Sequence, residues 1–194
     1  MVRLAALSLL LGVIATQAIA GQAPANPPAS FLLRTSEWHT TMTPIAGPNN
    51  VGNCMIVNRD GRLHLELRRQ EFFNGKASLV SYEGKLSTAE LTSLRAVLTA
   101  DSIKSRPAFH EPKTPLQADH FESFIAEIPR GAKTQTVGTF SWHGLGPTDA
   151  DAEIREWREA ALALEPLMEW SHRIKSLGPP GLRIVPSANS VCGR

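Results

Sequence analysis

The chain has 194 residues, 42% of them hydrophobic and 20% charged, and its 20 Lys and Arg nearly balance 18 Asp and Glu for a formal net charge of +2. Such a composition belongs to one modest folded domain. It argues against a disordered polyelectrolyte, and against a nucleic-acid binder, because phosphate attraction needs an excess of clustered cations.

The first residues combine Arg3, an apolar run from Leu4 to Ile14 and the small-residue end Ala18-Ile19-Ala20. This is the pattern of a secretory signal cleaved after Ala20. The run is too short for a bilayer core of about 30 Å, which takes about 20 apolar residues, so no transmembrane segment is expected in the mature chain. Residues 21–30 are Pro-rich and read as a flexible linker, residues 31–178 as a single domain, and residues 179–194 as a C-terminal strap. A secreted or periplasmic location puts Cys54 and Cys192 where thiols oxidise. One disulfide is the economical expectation, with two buried free thiols as the alternative. Two isolated cysteines without C-x-x-C spacing do not make a zinc site.

From Asn49 to Arg106 no proline appears, and this block reads as the structural heart. Cys54 to Asn58 is followed by Asp60-Gly61 and by Leu63, Leu65 and Leu67 alternating with His64, Glu66 and Arg68, the signature of a hairpin. A two-residue turn there sets Cys54 opposite Leu67 and so places the disulfide on the leucine face. A second hairpin around Asn74-Gly75 sets Tyr82 opposite Leu67 and Val80 opposite Arg69, leaving His64, Glu66, Arg68 and Gln70 on the outer face. Phe72 and Phe73 at its tip are either a packing contact or a partner anchor.

Ser87-Thr88-Ala89-Glu90 is a capping box with Leu86 and Leu91 as its hydrophobic staple, and Leu91, Leu94, Val97 and Leu98 then recur at helical spacing. Pro107, Pro112 and Pro115 enforce a loop. Asp119 to Ile128 fits both helix and strand; strand is preferred, because Thr134 to Phe140 is a second strand that otherwise lacks a neighbour. Beyond the loop of Gly144, Gly146 and Pro147, Ile154, Trp157, Ala161 and Leu164 share a helical face. Pro166 predicts a kink or a restart before Leu167, Trp170, Ile174 and Leu177. The fold class expected is α+β: an antiparallel sheet of four or five strands built from hairpins, with helices packed on one face.

No nucleophile elbow, phosphate-binding loop, dinucleotide fingerprint or His-Glu-x-x-His helix is present. His64 with Glu66, and His110, Glu111, Asp119 and His120, lack specific metal spacing, and Asp149 to Glu153 lacks the Gly of a calcium loop. No metal and no cofactor is therefore expected. Ser141 and His143 beside a Gly-rich loop are the nucleophile candidate, against the plainer reading of a strand end. Trp157 and Trp170 read as core, whereas Trp38 and Trp142 lie beside polar loops and, with Phe72 and Phe73, are the candidate binding residues.

Hairpin strands around Asp-Gly, a capped helix Leu86-Ser87-x-x-Glu90-Leu91, later strands opening at Asp119-x-Phe121 and ending near Phe140, and a final Leu/Trp helix follow one another. This order resembles that of emfourin-type domains, bacterial inhibitors of thermolysin-like metallopeptidases, over Asn53 to Leu177. The N-terminal extension, the Pro-rich insertion, the longer final helical region and the strap depart from that pattern, and no functional residue is carried over. The resemblance implies a noncatalytic module that binds another extracytoplasmic protein, with a peptidase inhibitor as the narrower expectation. A small hydrolase with residues converging from separate loops, or an envelope structural protein, is the alternative.

Overall fold

The computed structural model describes residues 30–41, 50–70, 77–111, 120–143, 151–177, 182–185 and 190–192. The expected signal, nearly all of the linker, Phe72, Phe73 and the Asn74-Gly75 turn lie outside these residues.

Among the described residues the strands β1 (Phe31–Thr41), β2 (Asn50–Asn58), β3 (Arg62–Gln70), β4 (Ala77–Lys85), β5 (His120–Arg130), β6 (Lys133–His143) and β7 (Arg183–Val185) form one seven-stranded sheet. Its order is β6-β5-β1-β2-β3-β4-β7 and every pairing is antiparallel. Helices α1 (Thr88–Thr99), α2 (Asp101–Lys104) and α3 (Asp151–Leu177) complete the α+β fold. Among the described residues no helix is long and apolar enough to cross a membrane.

The sheet is larger than the four or five strands expected, and two segments account for the difference. Phe31–Thr41 carries Arg34, Glu37 and His39 among its apolar residues and gives no clean alternation, yet it occupies the middle of the sheet between β5 and β2. Trp38 therefore belongs to a strand, not to a loop edge. Arg183–Val185, expected as irregular strap, pairs with Ser81, Tyr82 and Glu83 and adds the outermost strand.

The β2–β3 hairpin also differs from expectation. Cys54 stands opposite Glu66, and Asn53 opposite Leu67. The connection uses Arg59, Asp60 and Gly61, with Gly61 at φ 84 and its N–H donating to the Asn58 carbonyl at 3.0 Å. An Asp-Gly pair serves this longer turn with a left-handed glycine as readily as the two-residue one. The resulting one-residue slip moves Cys54 to the face opposite Leu63 and Leu65, because strand side chains alternate. In the next hairpin Tyr82 pairs with Leu65 and Val80 with Leu67. That shift of two residues from the expected register preserves the face, so Val80 and Tyr82 do join the leucines.

Leu33 of β1, Met55 and Val57 of β2, Leu63 and Leu65 of β3, Phe124, Ala126 and Ile128 of β5 and Val137 of β6 belong to one buried cluster with Leu94, Leu98, Ile103, Leu164, Leu167, Trp170 and Ile174 of the helices. The side of the sheet carrying these strand residues is the core face; the other is the far face. The capping box forms as read: the Ser87 hydroxyl accepts from the Glu90 amide at 3.2 Å, and the Ser87 amide donates to the Glu90 carboxylate at 2.7 Å. The interval from Asp119 to Ile128 contains a strand, and β5 and β6 join through a turn in which Gly131 has φ 67. Helix α3 continues through Pro166 as one element, so of the kink or restart expected there the restart does not occur. Pro166 lies on the exposed side, so the missing N–H interrupts the outer wall of the helix while Leu164 and Leu167 stay buried.

Candidate functional site

The far face of β5, β1, β2 and β3 is the floor of a cavity of about 440 Å³, walled on one side by Phe109 and Glu111 and on the other by Ser190 and Cys192. Its size falls within the roughly 300 to 1,000 Å³ of small-ligand pockets. Cross-strand register builds the floor. Trp38, Gly52 and Arg68 stand side by side on β1, β2 and β3. The indole lies flat over Gly52: a Cβ added there would sit 2.3 Å from both Cε3 and Cζ3 of Trp38. Only a glycine leaves that space. The Arg68 guanidinium is 5.9 Å from the centre of the ring, within cation–π range. Trp38 remains 37% exposed, so an aromatic surface held in place by neighbouring strands is presented to the cavity.

One wall is clipped to the floor covalently and electrostatically. Cys54 and Cys192 form the expected disulfide, across a sequence separation of 138 residues. Because of the register described above, this bond lies on the far face and not beneath the leucines. Glu66, expected on an open outer face, is only 3% exposed. Its carboxylate accepts from the Ser190 hydroxyl at 2.5 Å, the Val191 amide at 2.6 Å and the His64 ring at 3.0 Å. Burial pushes this carboxyl up, but the bonds from Ser190, His64 and Val191 outweigh burial and hold it below the usual glutamate value. Arg34 pairs with Glu127 at 3.5 Å and donates to the Cys192 carbonyl, so the wall has a second polar attachment.

At the core-face end of β1, Glu37 meets Ser171 at 3.2 Å, His172 at 3.5 Å and the ammonium of Lys175. Burial lowers the Lys175 pKa more than Glu37 raises it. Beyond Glu37 on the same strand face, His39 Nδ1 and His120 Nε2 each lie 3.2 Å from Glu122 Oε1. Burial raises the Glu122 carboxyl, but hydrogen bonds from His120 and His39 bring it below its ordinary value. Among the described residues this trio is a group of possible metal donors, all within 4.8 Å of one another.

The structure thus places Trp38 on the cavity floor and joins Cys54 to Cys192. Phe72 and Phe73 lie outside the described residues. Trp142 is within β6, with its backbone opposite Phe121, and its side chain is outside the described set. The nucleophile candidate Ser141 donates to Glu122 at 3.4 Å. Gly52 and Arg68 were not singled out as site residues from sequence, and Glu66 was weighed only with His64 as a metal-ligand pair; a cross-strand register linking them to Trp38 and the tail was the missing signal. Compared with family models and with curated proteins, the chain matches none.

Proposed function

We propose that this chain is an exported, noncatalytic binding module whose far sheet face receives an apolar group of its partner against Trp38. The observation that carries the reading is a half-exposed indole seated on a glycine at the floor of a ligand-sized cavity. In such a site an aromatic surface supplies affinity by burying area, while a few polar groups at the rim fix orientation. Arg34, Arg68, Glu111 and Glu127 provide charges of both signs there, which suits a segment of a protein better than a uniformly charged polymer. In this reading the helices cover the core face and leave the far face to the partner. The partner is another extracytoplasmic protein, a peptidase if the emfourin-like order reflects kinship.

The test uses the purified chain and Trp38→Ala. Anilinonaphthalene sulfonate, an aromatic anion, is expected to bind saturably to the parent and at least about 30-fold more weakly to the variant, the loss typical of a tryptophan hot spot. The two proteins then serve as paired baits against culture fluid, and whatever only the parent retains is assayed for peptidase activity and its inhibition. Equal dye binding and an identical retained set for both baits refute the site. Turnover of a small ester or peptide by the parent favours the hydrolase alternative.

A further inference from the structure

We propose that His39, His120 and Glu122 form a zinc site, with two imidazole nitrogens, one carboxylate oxygen and a fourth position open to a cavity on the core face. The backbone sets the three donors. His120 and Glu122 are two residues apart on β5 and share a face, and His39 of β1 stands directly opposite Glu122. Both rings turn a nitrogen to the same carboxylate oxygen, each at 3.2 Å. Zinc bonds of about 2.0 to 2.2 Å in tetrahedral geometry put neighbouring donors roughly 3.3 to 3.5 Å apart, so two edges of the polyhedron already have nearly their required length. The third edge, between the imidazoles, is at most 4.8 Å and must shorten for the ion to be held.

The donor types select the ion. Two imidazoles and one carboxylate suit zinc and its borderline neighbours rather than calcium or magnesium, which take oxygen shells. The rings meet edge-on with centroids 4.2 Å apart, so both imidazoles reach the one carboxylate without stacking on each other. Ser141 donates to the other carboxylate oxygen at 3.4 Å and holds Glu122 toward the histidines, the role of an outer-shell partner. His39, Glu122 and Ser141 line a cavity of about 270 Å³, so the remaining coordination position faces space for water or for a donor atom of a ligand. Three protein donors with one open position is the arrangement of an accessible site, as distinct from a closed structural one.

The experiment titrates zinc chloride into chelator-stripped full-length chain by calorimetry while imidazole resonances are followed by NMR. One equivalent is expected to bind, with the His39 and His120 resonances moving and those of His64, His110 and His172 unchanged. His39→Ala and His120→Ala, checked for an intact disulfide and parent-like circular dichroism, should each lose more than the roughly 10- to 100-fold that removal of an outer-shell partner causes, and Ser141→Ala about 10-fold. Absence of binding to the parent overturns the proposal. So does binding of equal strength by both histidine variants, or movement of other histidine resonances in place of these two. The NMR readout on the unaltered chain decides the matter even if a variant misfolds.

Discussion

Glu66→Gln separates the charge of the buried carboxylate from its shape. The Val191 amide can only donate, so the glutamine carbonyl must take the position of Oε1, where it also meets His64, and the amide nitrogen must face Ser190. The serine hydroxyl can rotate to accept, and no clash follows. What is lost is charge on two short bonds: a hydrogen bond to an ionised group contributes about 1.5 to 3 kcal/mol and a neutral one about 0.5 to 1.5, so the variant should be less stable by about 2 kcal/mol near neutral pH. The same carboxylate makes the stability depend on pH. The folded-state pKa of Glu66 lies below its ordinary value of 4.5. Its contribution is therefore complete above the unfolded pKa and disappears as pH falls through the folded one. A protonated Glu66 resembles the glutamine, so the two stabilities should converge in acid. Urea unfolding of both proteins from about pH 7 to about pH 3 checks this, since other carboxylates titrate in both and cancel in the difference. A gap that stays constant across that range, or its absence at neutrality, refutes the account.

Reducing the Cys54–Cys192 bond opens a loop spanning 138 positions and should cost about 3 to 5 kcal/mol on the chain-entropy estimate, read as a lower urea midpoint in the presence of a thiol reductant. An unchanged midpoint would contradict it. Leu164→Ala, at a fully buried position of α3, should destabilise by about 2 to 5 kcal/mol, whereas Leu162→Ala, two residues away and 72% exposed, should stay within about 0.5 kcal/mol of the parent in the same assay.

Features set by neighbours along the chain were legible in the sequence. The capping box needs only Ser87 and Glu90, and the strand choice for the segment after Asp119 needed only the recognition that Thr134 to Phe140 required a partner. Features set by distant pairing were not. β1 reads poorly because its core face runs from Leu33 into Thr35, Glu37 and His39 while its far face carries Trp38, which erases the alternation that marks a half-buried strand. The side on which Cys54 falls depends on whether Asp60-Gly61 closes a two- or a three-residue turn, a difference of one residue that inverts a whole strand. Trp38 could be named from its chemistry alone, but its seat on Gly52 and the approach of His39 to Glu122 both wait on knowing that β1 lies between β2 and β5. Glu66 looked like an ordinary surface charge because the tail that covers it arrives more than a hundred residues later.

The sulfur link between the tail and β2 also decides how the molecule would respond to a nick. A single backbone cut between Val185 and Ser190 cannot release the terminal fragment, which stays attached through Cys54. Such a product keeps its full mass apart from one added water until a reductant is present, and then sheds a short peptide and leaves one rim of the groove bare.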